Sequence, residues 1–342
     1  MRAAVLRATG DVHVGTVPDP VVEEPHDALV RVRYAAVCGS DLWRYRDHPP
    51  GAAPIRPGHE FSGVVEAVGA AVTAVRPGDV VLAPFAWSDG TCPACRAGLP
   101  TSCPAGGVFG DRADGAQAEA VRVRFADANL VVLPVGADDP RMPALLTLAD
   151  VMSTGHHAAL CARVGAGTTV VVMGDGAVGL CAVLAARRLG AGHITVVARH
   201  RARAELALRL GADSVVTERG PAAARRVRAL TGGRGTGAVL ECVGTAESWA
   251  DALAAVRDGG TIGYVGLPHG VALDPAVFFD RNLTLAGGIA PARTYIPRLL
   301  PDVLSGALDP SPVFDHRTGL DGVPGAYRAM AARTAIKALI AL

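Results

Sequence analysis

Up to about residue 150 the apolar positions come in short, valine-rich runs at 29–34, 61–68 and 79–83, separated by turn pairs such as Pro57-Gly58 and Pro77-Gly78. Runs of this length between Pro-Gly turns read as strands. This part also holds 15 of the 24 prolines, which predicts a compact β-rich domain with irregular loops. From Met152 the period changes. Alanine-rich stretches with helical spacing at 177–189, 203–210 and 248–256 alternate with apolar runs at 168–173, 194–198, 215–216, 238–242 and 261–265. Strands alternating with helices imply an α/β architecture with a parallel, doubly wound sheet. Past Leu285 the alternation fades, and 287–342 has too little pattern to stand alone, so it is expected to pack back on one of its neighbours. The expected divisions are 1–151, 152–286 and 287–342. No internal repeat is visible.

Half of the residues are apolar but only 4% are aromatic, so the cores must be built mostly from Ala, Val and Leu. Lys+Arg 33 against Asp+Glu 32 gives a net charge of +1, which leaves no global field for nucleic acid or an anionic membrane. The most apolar window, 168–186, contains Gly174, Asp175, Gly176 and Gly179. It reads as strand, turn and helix rather than a membrane span. The N-terminus carries no signal-peptide pattern, and the cytoplasm is the expected location. Of seven cysteines, Cys92, Cys95 and Cys103 cluster. Without an export signal, metal ligation explains that cluster better than disulfides. Cys161, Cys181 and Cys242 occupy apolar positions and are expected in the core.

The run 170–173 leads into Gly174-Asp175-Gly176-Ala177-Val178-Gly179 and then a helical stretch. This is G-x-G-x-x-G in the strand-to-helix context that binds a dinucleotide. Gly174 permits the turn, Gly176 lets a pyrophosphate approach the backbone, and Gly179 allows the helix to pack close. Ala177 and Val178 open the helix, whose free N–H groups favour phosphate. About 20 residues on, where an acid would bind the ribose hydroxyls of NAD, stands Ala198-Arg199-His200, with Arg203 close behind. Ala198 removes a carboxylate that would repel a 2′-phosphate, and the three basic residues can bind one. NADP(H) is the expected cofactor.

Cys38, His59 and Asp150 offer one thiolate, one imidazole and one carboxylate, the donor set of an open zinc site with a position left for substrate. Around them stand Cys38-Gly39-Ser40-Asp41, Gly58-His59-Glu60, Val75-Arg76-Pro77-Gly78-Asp79, Leu148-Ala149-Asp150, the cysteine cluster and the glycine loop. Together these resemble the zinc-dependent alcohol dehydrogenases of the medium-chain dehydrogenase/reductase superfamily, nearly end to end. The resemblance implies a GroES-like β domain completed by the C-terminal tail and joined to a Rossmann cofactor domain. It implies that Cys38, His59 and Asp150 hold a catalytic zinc that lowers the pKa of an alcohol, with Glu60 beside the metal or exchanging onto it. Ser40 matches the hydroxyl that takes the substrate proton. Asp41 matches a position that either orients a ligand or serves as a buried structural carboxylate. The relay histidine of the family is replaced by Trp43, leaving His48 or water to carry the proton onward. The structural lobe of the family, four cysteines spaced C-x2-C-x2-C-x7-C, reads here Asp89, Cys92, Cys95 and Cys103. Since Asp is an acceptable zinc ligand, a structural zinc is expected there, the alternative being an emptied lobe held by ordinary contacts with three spare thiols.

The reaction so implied is hydride transfer between an alcohol and NADP(H), running to an aldehyde or ketone. Trp43, Phe85, Trp87, Phe109 and Ile289 either wall a hydrophobic substrate pocket or fill the core. Rival readings are a zinc-free quinone or enone reductase of the same superfamily, a polyol or amino-alcohol dehydrogenase, and a non-enzymatic NADPH- or zinc-binding protein. The segment 283–285 resembles an edge strand that extends the sheet across a dimer axis, so a homodimer or homotetramer is expected.

Overall fold

Val170, Val171 and Val172 are each at most 1% exposed, as expected of a strand covered on both faces. They lie in the strand Thr169–Met173 at the centre of a six-stranded, wholly parallel sheet. The order across the sheet is Ser214–Val216, His193–Val197, Thr169–Met173, Thr236–Glu241, Val256–Tyr264, Thr284–Gly287. In chain order that is 3-2-1-4-5-6, the doubly wound topology of dinucleotide-binding domains. The computed structural model describes all 342 residues, Met1–Leu342. It divides into two units, Val151–Ala290 around this sheet and Met1–Asp150 with Pro291–Leu342. No helix is long and apolar enough to cross a membrane.

The other unit is a GroES-like β structure. Its main sheet runs His316–Thr318, Ala338–Ala341, Ala28–Val37, Phe61–Val68, Val80–Ala83, Val131–Val132, and Ala120–Val123 also pairs with Ala28–Val37. The strand Ala28–Val37 outruns the 29–34 pattern because the tail completes it: Ala338 lies opposite Val37 and Ala341 opposite Tyr34. A helix at Ala292–Ser305 and another at Val323–Ala331 make up most of the remaining tail. The core brings Val30, Phe61, Val81, Trp87, Phe109 and Tyr327 together. Phe109 meets both Phe61 and Trp87 edge-on with centroids 5.1 Å apart. Such pairs add about 0.5–1.5 kcal/mol each beyond their buried area.

Two other sequence expectations shift. The strand Val256–Tyr264 starts earlier than 261, because Val256 already pairs with Thr236 before the register shift in that ladder. Of the three cysteines expected in the core, Cys181 is fully buried, whereas Cys161 is half-buried on a helix with its Sγ 3.6 Å from His157 Nε2. Cys242 is intermediate in exposure. The apolar pattern marks these helix and strand positions as core-facing, but Cys161 falls in the last residue of its helix, Val151–Cys161.

Candidate active site

Two antiparallel strand ends build the first half of the site. Ala35 stands opposite Phe61, so Cys38, just past one strand, comes level with His59 and Glu60, just before the next. Asp150 follows the short turn Thr147–Ala149, and that turn is fastened where the Phe85 N–H donates to the Ala149 carbonyl at 3.0 Å. Candidate ligand atoms of Cys38, His59, Glu60 and Asp150 all lie within 4.8 Å of one another, and all four residues are buried. Asp150 Oδ2 is 3.2 Å from both Cys38 Sγ and His59 Nε2.

Charge is crowded here. Burial pushes the Cys38 thiol up, and Asp150 adds to that push. Burial pushes the His59 imidazole down, but Asp41 and Cys38 outweigh it and leave it well above its ordinary value. Asp150, despite burial, is held down to about 2 by its bond to His59. Glu60 has one oxygen paired with Lys337 at 2.5 Å, while its buried Oε2 has no hydrogen-bond partner. Orphaned buried oxygens are uncommon, and this one belongs to a convergent set of S, N and O donors. The donors fit a zinc ion, whose charge would also favour the thiolate form of Cys38.

Asp41 reaches His59 from behind, with its Oδ1 3.3 Å from Nδ1, and its Oδ2 accepts the Cys38 N–H at 3.0 Å. It thus bridges the His59 ring and the Cys38 backbone, a contact open to either role, and His59 Nε2 is left on the side of Asp150. Ser40 is exposed at the N-cap of the helix Asp41–Arg46, and its hydroxyl makes no capping bond. His48 is buried elsewhere. Its backbone N–H and carbonyl both bond Thr9 Oγ1, and its Nε2 has no partner, so no bond joins it to Ser40. Phe85 meets His59 edge-on at 6.3 Å, which puts it beside the site. Trp87 and Phe109, 2% and 1% exposed, are core fillers. Trp43 and Ile289 are exposed, at 40% and 61%.

In the small lobe, ligand atoms of Asp89, Cys92, Cys95 and Cys103 also fall within 4.8 Å of one another. Cys92 and Cys95 sulfurs are 3.5 Å apart. Asp89 Oδ1 accepts the N–H groups of Cys92 at 2.9 Å and Thr91 at 2.7 Å, and these bonds hold the carboxyl down to about 2. An anionic carboxylate beside three sulfurs suits zinc equally well.

In the other unit Gly174 adopts φ +108°, and a Cβ on Gly179 would collide with the Gly174 carbonyl. A Cβ on Gly176 would meet nothing, so the loop is open there. Ala177 and Val178 begin the helix Ala177–Arg188. Ala198 is buried, Arg199 exposed. One residue missed in the sequence is Asp175. Its Oδ2 accepts the N–H groups of Arg199 at 2.7 Å and His200 at 2.9 Å and faces His200 Nδ1 at 3.1 Å, while Oδ1 lies 3.9 Å from Arg203. An acid inside a glycine loop that faces a basic turn was the available signal. Lys337 was also missed: it precedes the strand that pairs with Val37 and so lands beside Glu60.

Residues 24–135 match the alcohol dehydrogenase GroES-like domain family, and residues 177–305 match the zinc-binding dehydrogenase family. A probable zinc-binding alcohol dehydrogenase of Mycobacterium tuberculosis is 36% identical over 343 residues, covering 98% of this chain and 86% of that protein. The alcohol dehydrogenase TADH from Thermus sp. ATN1 superposes with a TM-score of 0.92 at 36% identity, covering 100% of this chain and 99% of the other. A zinc-binding dehydrogenase from Sinorhizobium meliloti 1021, solved bound to NADP, superposes with a TM-score of 0.84 at 28% identity, covering 100% and 99%. With both domains matched and the donor set in place, this chain belongs to the zinc-dependent alcohol dehydrogenases of the medium-chain dehydrogenase/reductase superfamily.

Proposed function

We propose that the protein is an NADP(H)-dependent oxidoreductase that interconverts an alcohol with its aldehyde or ketone. The observation that carries this reading is the buried convergence of Cys38, His59, Glu60 and Asp150, with one Glu60 oxygen unpartnered. Cys38, His59 and Asp150 are the ligands, and Glu60 stands beside them. Bound zinc would supply a Lewis acid that polarises the substrate oxygen. Ser40, exposed and uncapped, takes the alcohol proton and hands it to solvent, since no bond leads on to His48. Phe85 offers an apolar edge next to the ligand imidazole. A small or medium alcohol with an apolar substituent fits that surface.

The preference for NADP(H) rests on Ala198 and chiefly on the exposed Arg199, since His200 and Arg203 already face the Asp175 carboxylate, and the NADP-bound neighbour supports it. A hydrogen bond to a charged group is worth about 1.5–3 kcal/mol, so Arg199→Ala should lose roughly one to two decades of NADPH affinity with NADH little changed. The lobe of Asp89, Cys92, Cys95 and Cys103 is assigned a structural zinc. The edge strand Thr284–Gly287 has a neighbour on one side only, and Leu285 is 37% exposed. Pairing with a second copy would cover it, giving a homodimer or homotetramer.

The test is a panel of alcohols and aldehydes assayed with NADP(H) and NAD(H) in parallel, with zinc measured on the same sample. Turnover favouring NADP(H), lost in Cys38→Ser with NADPH binding intact, supports the reading. A near-normal rate in Cys38→Ser overturns the ligand assignment, and NADH preference overturns the cofactor assignment.

A further inference from the structure

Gln117 lies in no motif of the sequence, yet its backbone bonds the segment leading into the candidate ligand His59 and its side chain bonds Asp41, which faces the His59 ring. Its backbone N–H donates to the Pro57 carbonyl at 3.1 Å, and the neighbouring Ala116 N–H donates to Gly58 at 2.8 Å. Gly58 holds φ +110°, and a Cβ there would run into the Gln117 backbone. The peptide leading into His59 is therefore seated directly on residues 116 and 117. The Gln117 side chain reaches the ring through Asp41. Its Nε2 donates to the Ala36 carbonyl at 3.0 Å and to Asp41 Oδ2 at 3.4 Å, and Asp41 Oδ1 faces His59 Nδ1.

Tyr327 fixes Gln117 in turn. From the C-terminal helix Val323–Ala331, its hydroxyl donates to Gln117 Oε1 at 3.0 Å, so the amide orientation is set: oxygen to the tyrosine, nitrogen to Ala36 and Asp41. The Tyr327 ring also packs on Tyr45 at 5.3 Å, and Tyr45 belongs to the helix that Asp41 opens. Gln117 and Tyr327 are 0% and 1% exposed. In so dry a place each bond is strong, and each one lost leaves a buried group unpaired.

We infer that Gln117 and Tyr327 are positioning residues for the metal centre, acting through Asp41 to fix the orientation and tautomer of His59. The inference rests on the zinc assignment above. Partners behind a ligand imidazole typically set metal affinity by 10- to 100-fold. Gln117 touches Asp41 directly and Tyr327 acts one bond further out, so the effects should be graded.

The experiment uses the zinc-loaded full chain with Gln117→Leu and Tyr327→Phe, each followed by zinc release to a chromogenic chelator. A Cys38→Ser control identifies the release phase of this site and separates it from the Asp89 lobe. The expected result is release at least tenfold faster in Gln117→Leu and severalfold faster in Tyr327→Phe. With cobalt in place of zinc, the visible absorption bands should shift in the same order, a change that lost stability alone would not produce. Release within twofold of the parent in both variants, or unshifted cobalt bands with only a lower melting temperature, overturns the inference. If the parent has no release phase that depends on Cys38, the zinc assignment itself fails and the inference falls with it.

Discussion

Replacing Lys337 by Met should destabilise the β-rich unit of the metal-free protein by about 3–5 kcal/mol, the usual cost of removing one partner from a buried ion pair. Lys337 and Glu60 are 1% and 0% exposed. Their charged atoms are 2.5 Å apart, and the ammonium also donates to the Val37 carbonyl at 3.3 Å and lies 5.9 Å from the Phe314 ring centroid. Burial pulls the lysine pKa down, but Glu60 and the neighbouring acids outweigh it, so the proton stays on nitrogen. For Glu60, burial raises the carboxyl more than Lys337 lowers it. Without Lys337 that opposing influence disappears and the carboxyl must rise further. A carboxyl whose folded pKa lies above its unfolded value of about 4.3 favours folding fully below that value. The advantage is lost as pH rises toward the folded pKa. The deficit of Lys337→Met should therefore be small near pH 4 and grow with pH until Glu60 ionises.

The assays are urea unfolding and thermal melting of the metal-free protein at several pH values, for the parent, Lys337→Met, and Lys337→Met with Glu60→Gln. At about 2–4 °C per kcal/mol for a unit of roughly 200 residues, the single variant should melt about 6–20 °C lower. The double variant should recover much of the loss, because the uncompensated carboxylate is gone. A single variant within 1 kcal/mol of the parent at pH 8, or a double variant no better than the single, would refute the view that Lys337 compensates a buried carboxylate.

Cys92→Ser should lower zinc content by one ion per chain and depress thermal stability, since structural zinc binding is worth on the order of 10 kcal/mol; unchanged zinc content would remove the metal from the Asp89 lobe. Gly179→Val forces a side chain against the Gly174 carbonyl, so NADPH binding followed by fluorescence should collapse while zinc content is kept. Normal NADPH binding by that variant would mean the loop tolerates the helix moving away. The Asp127 carboxylate accepts the N–H groups of Thr73 and Ala74 and the Thr73 hydroxyl. Burial raises it, but these bonds win and depress it. Its stabilisation is present above about pH 4 and is lost as pH falls through the lowered value. Comparing acid unfolding of the parent with Asp127→Ala checks this, and identical pH profiles would contradict it.

What the sequence made legible was what short spacing carries. The strand, glycine turn and helix at 169–188 are local features, each fixed by residues within a few positions of one another, and Asp89, Cys92 and Cys95 sit within one turn of chain. The fold class followed because the change from short valine runs to alternating helices and strands is itself a periodic signal. Residue type and resemblance point to Cys38, His59 and Asp150; the register of the strands ending at Val37 and starting at Phe61 brings the first two together, and the turn Thr147–Ala149, bonded to Phe85, brings in Asp150. Element ends were less legible: nothing local in 35–37 says that a strand from the far end of the chain will pair there.

The groups that surround the candidate ligands are illegible for the same reason in a stronger form. Lys337 meets Glu60 across 277 residues of sequence, and Tyr327 meets Gln117 across 210. A lone Lys between Ile336 and Ala338 reads as a surface residue, because lysine is almost never fully buried unless paired, and its pair cannot be guessed before the tail is placed. The tail is thus more than a patch on the sheet. By returning antiparallel to Ala28–Val37 it sets a cation beside Glu60, and through the helix Val323–Ala331 it sets a hydroxyl behind Gln117. The candidate metal site, whose donors come from the first 150 residues, therefore has its charge balance and its supporting bonds set by the last 20 or so. Truncation before Tyr327 should cost zinc retention even though every ligand remains.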